Sequence, residues 1–83
     1  MDVLLTPNAA AELEALKEPI HARVLRILER LQHWPEVSGV KSLSGNLAGR
    51  FRIRTGDYRV QFRVERAAVV VEKIGHRDGF YDE

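Results

Sequence analysis

Cysteine is absent from the 83 residues, which rules out a disulfide framework and a zinc–thiolate centre and suits a reducing cytoplasm. Long apolar runs are missing too. No stretch approaches the roughly 20 apolar residues that a membrane-spanning helix needs. The opening residues carry neither a basic segment nor an extended apolar one, so neither a membrane nor an export route is expected. His21, His33 and His76 lack metal-ligand spacing and no carboxylates cluster, so no metal or other cofactor is expected. Ser38, Ser42 and Ser44 lack the glycine elbow of a Ser-His-Asp enzyme. The Gly45–Gly49 run lacks the Gly-Lys-Ser/Thr ending of a phosphate-binding loop and reads as a connector.

What the chain does have is a charge imbalance hidden by a net charge of +1. Residues 1–40 hold six acids against four Lys/Arg, residues 41–66 two against seven, and residues 67–83 four against two. The middle segment is therefore strongly basic. A charge concentrated in this way points to a local polyanion contact. The length suits one domain over residues 1–83, with a single core.

The excess sits in Arg50–Val64, where residue type alternates strictly. Successive side chains of a strand point to opposite faces. With a two-residue turn at Gly56-Asp57, which suits a type II′ hairpin, Thr55 opposes Tyr58, Arg54 opposes Arg59, Arg52 opposes Gln61 and Arg50 opposes Arg63. Phe51, Ile53, Tyr58, Val60, Phe62 and Val64 then share the other face. Opposed like charges are unfavourable: two unit charges about 6 Å apart repel by about 0.7 kcal/mol in water and more where solvent is excluded. A flexible, solvated face is the plain reading. An anion site, with guanidinium forks meeting phosphate oxygens, explains more.

Around the hairpin, Asp2–Leu5 reads as a short strand and Thr6-Pro7 as the cap and first turn of a helix reaching Lys17. Glu18-Pro19 breaks it. A second helix runs from Pro19 to about Trp34, with Ile20, Val24, Ile27, Leu28 and Leu31 as its apolar stripe and Arg23, Arg26 and Arg30 on the other side. Residues 36–49 read as an ordered loop, with Val40 and Leu43 turned inward and Lys41 free to reach a phosphate. Ala67–Ile74 is a β-branched strand. A turn at Arg66-Ala67 would put Val69 and Val71 on the apolar face and Glu72 beside Gln61, able to hold an arginine. The order β-α-α-β-β-β predicts an α+β fold: a four-stranded, largely antiparallel sheet, two helices on its apolar face and the arginine face open.

The run Arg50-Phe51-Arg52-Ile53-Arg54-Thr55-Gly56-Asp57-Tyr58-Arg59, the later Gly75-His76-Arg77 and Tyr81, and the opening Leu5-Thr6-Pro7-Asn8-Ala9 resemble the RelE/ParE superfamily of bacterial toxins. The likeness covers nearly the whole chain. It implies the toxin of a type II toxin–antitoxin pair, cleaving messenger RNA in the ribosomal A site without metal, through attack of the ribose 2′-hydroxyl to a 2′,3′-cyclic phosphate. Matching positions imply catalytic roles for Arg52, Arg54, Arg59, Arg77 and Tyr81. His76 is a candidate acid or base, and Lys41, Arg50, Gln61 and Arg63 are candidate RNA contacts. Arg52 and Arg54 stay protonated and are poor general bases, so the base is left open. The implied partners are the ribosome with its message and a cognate antitoxin that covers the arginine face or displaces the Gly79-Phe80-Tyr81 tail. The alternative is a ParE-like toxin that binds DNA gyrase without nuclease chemistry.

Overall fold

Period-2 alternation in the basic hairpin and a 3.6-residue stripe in one helix account for most of the architecture. A computed structural model of the chain describes residues 1–80. Its elements are β1 (Asp2–Leu5), α1 (Pro7–Ala15), α2 (Ile20–Leu31), β2 (Lys41–Ser42), β3 (Arg50–Thr55), β4 (Tyr58–Glu65) and β5 (Ala68–His76), with 3₁₀ turns at Gly45–Leu47 and Arg77–Gly79. The five strands form one sheet in the order β1-β5-β4-β3-β2. Every pairing is antiparallel except β1 with β5.

The α+β expectation holds, with a fifth strand where four were expected. The addition is β2, whose two residues lie in the expected loop and pair Lys41 with Arg52 and Ser42 with Phe51. A two-residue strand has no alternation to betray it.

The hairpin takes the expected register, with Arg50 opposite Arg63, Arg52 opposite Gln61, Arg54 opposite Arg59 and Thr55 opposite Tyr58. Gly56 sits at φ 58°, the left-handed conformation that the first central position of a type II′ turn demands and that glycine adopts without steric cost. The even-numbered arginines therefore share one face, and Ile53, Val60 and Phe62 are buried on the other.

That apolar face packs on α2 through Val24, Ile27, Leu28 and Leu31. At its edge the Trp34 ring meets Phe51 at 4.8 Å and Phe62 at 5.4 Å, geometry worth about 0.5–1.5 kcal/mol per aromatic pair beyond burial. Leu43 is buried and Val40 half-buried, as the loop reading expected.

Helix α1 closes a sheet edge. Thr6 caps it, its hydroxyl accepting from the Ala9 N–H, and β1 ends just before it. The half of β5 beyond β1 would otherwise show bare backbone groups. Asn8 Nδ2 donates to the Glu72 carbonyl at 3.3 Å and Glu12 Oε1 accepts from the Ile74 N–H at 2.7 Å, so side chains of α1 replace the missing strand.

The β4–β5 turn falls at Arg66-Ala67, with Glu65 opposite Ala68, Val64 opposite Val69 and Phe62 opposite Val71. Val69 and Val71 are buried on the apolar face as expected. A bulge then shifts the register, so that Gln61 pairs with Lys73 and Glu72 is the extra residue. The expected pairing of Glu72 with Gln61 is corrected accordingly. A bulge inserts one residue against none and re-aims its side chain.

Candidate functional site

The strand pairings lay the open face out in three rows. Arg54, Arg59 and Gly75 form the row nearest the hairpin turn; Lys41, Arg52, Gln61 and Lys73 form the second; Arg50, Arg63 and Val70 form the third. The bulge delivers Glu72 between the second and third rows.

The third row has carboxylate partners, Glu72 for both arginines and Glu65 3.7 Å from Arg63. Arg50 Nε lies 2.9 Å from Glu72 Oε1, and Arg63 Nη1 lies 2.6 Å from Glu72 Oε2. Glu72 is only 17% exposed. Burial raises its carboxyl pKa, but hydrogen bonds from Arg50, Arg63 and Gln61 and the charge of Arg50 outweigh that and leave it below the ordinary value. This carboxylate fixes both guanidiniums in place. The expectation that Glu72 could hold an arginine is met twice over.

The first row has no such acid. Arg54 and Arg59 oppose each other, and among the described residues neither makes an ion pair or a side-chain hydrogen bond. The Nε of Arg59 is buried without an acceptor. Nearly all buried polar atoms find partners, and a guanidinium N–H left without one marks a place where an anion would be welcome.

Beside this row Lys41, Arg52, Arg54 and Gly39 line a cavity of about 330 Å³. Arg52 is 9% exposed, the most buried charged side chain among the described residues. Pre-set donors in a partly desolvated recess are what an incoming phosphate requires, because no reorganisation is then needed when charge develops.

Phe80 adds a wall. The 3₁₀ turn Arg77–Gly79 brings the chain back over the open face, and Phe80 packs, 9% exposed, on Gly75 with the Lys73 ammonium 4.4 Å from its ring centroid. A Cβ at position 75 would stand 3.4 Å from that ring, an ordinary van der Waals contact, so the Phe80 ring lies directly against the strand that pairs with Arg59.

The remaining site residues are placed as follows. Arg77 is 58% exposed at the turn end of the sheet; its N–H donates to the Asp57 carbonyl and its guanidinium faces Asp57 at 4.0 Å and Asp78 at 3.7 Å. His76 pairs with Tyr58, not with an arginine, and its ring meets the Tyr58 ring edge-on at 5.2 Å. Its Nδ1 accepts from the Asp78 N–H. It is thus on the strand position facing away from Arg59, and the fold does not bring it to the arginine cluster. Tyr81 lies outside the described residues. The sequence reading missed the cavity formed by β2 with β3, whose only signal was Lys41 itself, and it missed the bulge that sends Glu72 to Arg50 and Arg63.

Comparison with solved structures finds the same architecture repeatedly. A chain of the RelBE2 toxin–antitoxin complex of Mycobacterium tuberculosis superposes with a TM-score of 0.78 at 29% identity, over 92% of this chain and 96% of that one. The YoeB/ParE toxin of Agrobacterium tumefaciens gives 0.79 at 18% identity, over 92% and 98%. The isolated Escherichia coli RelE toxin gives 0.77 at 18% identity, over 90% and 82%. No curated protein sequence matches significantly. Residues 3–79 match the family model described as the ParE toxin of type II toxin–antitoxin system, parDE, and with nearly the whole chain covered, the protein belongs to that toxin family within the RelE/ParE superfamily.

Proposed function

We propose that the protein is a metal-independent endoribonuclease that cleaves messenger RNA on the ribosome in the cytoplasm and is held inactive by a cognate antitoxin. The observation that carries this reading is the Arg54–Arg59 pair: two opposed guanidiniums with no carboxylate between them among the described residues, one with a buried N–H lacking an acceptor. A phosphodiester seated there, with Arg52 and Lys41 on its flank, supplies the missing negative charge.

In the reaction the 2′-oxygen attacks the adjacent phosphorus, the 5′-oxygen leaves, and a 2′,3′-cyclic phosphate remains. The proton lost by the 2′-hydroxyl is matched by the one the leaving oxygen gains. The arginines act as fixed donors to the phosphorane oxygens, not as bases. Arg77 approaches from the turn end, Tyr81 is assigned the stacking of a base or the passing of a proton on the family resemblance alone, and His76 supports the strand end through Tyr58 and Asp78. Arg50 and Arg63, with Gln61 beside them, hold the sheet face through Glu72 more than they touch RNA. Antitoxins accompany the matched RelE chains of Mycobacterium tuberculosis and of Methanococcus jannaschii in their solved complexes. An antitoxin for this chain would neutralise the first row or lift Phe80 from Gly75.

A second reading has one observation in its favour, namely that the family model matched is named for ParE. On that reading the toxin binds DNA gyrase and performs no phosphoryl transfer. Cell-free translation followed by primer extension and a test for cyclic-phosphate ends separates the two. Cuts at ribosome-positioned codons that vanish with Arg59→Ala support the nuclease. Intact message together with blocked gyrase supercoiling supports the alternative.

A further inference from the structure

A second basic recess lies on the helix side of the sheet edge and shares only Arg54 with the three rows. Arg23, Arg26 and Arg30 of α2 line a cavity of about 230 Å³ with Arg54 and Thr55 at the end of β3, over a floor formed by Ile27. Arg54 is also a wall of the 330 Å³ cavity beside Arg52 and Lys41. The two recesses are therefore joined through one side chain.

Among the described residues, six cations and no carboxylate line the pair of cavities. Like charges three and four residues apart on a helix destabilise it, and Arg23, Arg26 and Arg30 have that spacing. Glu29, the one acid of α2, makes no ion pair with them among the described residues. Arg30 donates to the Ser38 carbonyl at 2.7 Å and to its hydroxyl at 3.3 Å, contacts that orient the guanidinium and leave its charge uncompensated. Arg23 and Arg26 make no ion pair or side-chain hydrogen bond among the described residues. Folding stability alone does not favour such a cluster.

We propose that this recess is a second backbone subsite for single-stranded RNA, holding a phosphate group removed from the scissile one, with Arg54 as the bridge between the two. The proposal rests on the ribonuclease reading for the identity of the polyanion. At about 230 Å³ the recess has room for one phosphate and its hydration. Guanidinium forks and the Thr55 hydroxyl suit phosphate oxygens. A protein segment would need an apolar anchor, and among the described residues the only apolar one in the lining, Ile27, is 3% exposed.

The test uses fluorescence anisotropy with non-cleavable 2′-O-methyl RNA, a dinucleotide and an octanucleotide, titrated at several salt concentrations into the full chain and three variants. Arg23→Gln/Arg26→Gln is expected to weaken the octanucleotide about tenfold, to shrink its log–log salt slope by about 0.7, the value for one lost single-strand phosphate contact, and to leave the dinucleotide unchanged. Arg23→Lys/Arg26→Lys keeps the charge and is expected to restore most of the affinity and slope, which a mere folding defect would not allow. Arg52→Gln is expected to weaken both oligonucleotides. If the glutamine variant binds the octanucleotide like the parent while Arg52→Gln weakens it, the second subsite is wrong and the ribonuclease reading stands. If the glutamine variant loses only an acidic peptide and keeps RNA, the recess is a protein-docking site and the proposal is overturned. If the parent binds neither oligonucleotide, the ribonuclease reading and the subsite fall together.

Discussion

Two pairs of arginines face each other across the same two strands, and they have opposite fates. Arg50 and Arg63 share Glu72, at 2.9 and 2.6 Å. Arg54 and Arg59, four residues along, share no acid among the described residues, and the Nε of Arg59 is buried without an acceptor. Residue type and strand pairing are identical in the two pairs. The main difference is one residue of β5, Glu72, displaced by a bulge toward one pair, with Glu65 adding a longer contact to Arg63 at 3.7 Å, while Gly75 opposes the other pair. A basic face is thus divided into a part held by carboxylates and a part whose charge the described residues leave uncompensated.

The largest expected effect falls on the uncompensated pair. Arg59→Ala should lower the cleavage rate by about 10²–10³-fold, the usual cost of removing one transition-state donor, with little change in urea stability; single-turnover assays on programmed ribosomes measure it. Next is the keystone of the other pair. Glu72→Ala leaves two opposed guanidiniums partly buried and should destabilise the fold by about 2 kcal/mol, less than for a fully buried pair because the arginines are about a third exposed. Chemical denaturation checks this, and the rate should fall far less than for Arg59→Ala.

The same carboxylate gives a pH signature. Its folded pKa lies below the ordinary value of 4.5, so the stability it contributes is fully present above that value and is lost as pH falls through the folded pKa. Glu72→Gln should therefore flatten the acid limb of the stability profile below about pH 4.5 and leave its neutral limb parallel to the parent's. A smaller effect is expected of Arg50→Gln, about 1 kcal/mol of stability and less than a threefold change in RNA affinity, since the charge removed was already compensated. A larger loss of RNA affinity than of stability would break the division between the pairs. The smallest effect concerns the turn that starts β5: Arg66 adopts φ 56°, and Arg66→Gly should gain about 0.5 kcal/mol by relieving the left-handed strain net of the extra chain entropy.

Much of this was legible in the chain. The hairpin register followed from strict alternation around Gly56-Asp57, because a one-residue slip would have buried the arginines. Helix α2 followed from its apolar stripe. What was hidden was short or ambiguous in pattern. Two residues of β2 have no period, and β5 is apolar at both parities across Val69–Val71, so nothing local marks the bulge after it. His76 appeared beside the arginines in sequence, and that bulge is what sets its partner as Tyr58. The contacts of Asn8 and Glu12 with β5 span more than 60 residues and leave no trace in local composition.

The most direct test of the division is the cleavage rate of Arg59→Gln beside that of Arg63→Gln, measured on the same programmed ribosomes. The account predicts a loss of at least about a hundredfold for the first and a change within about threefold for the second, whose cost should appear in stability instead. Equal losses in rate would show that the acid-bound pair and the uncompensated pair serve the reaction alike, and would contradict the assignment of chemistry to Arg54 and Arg59.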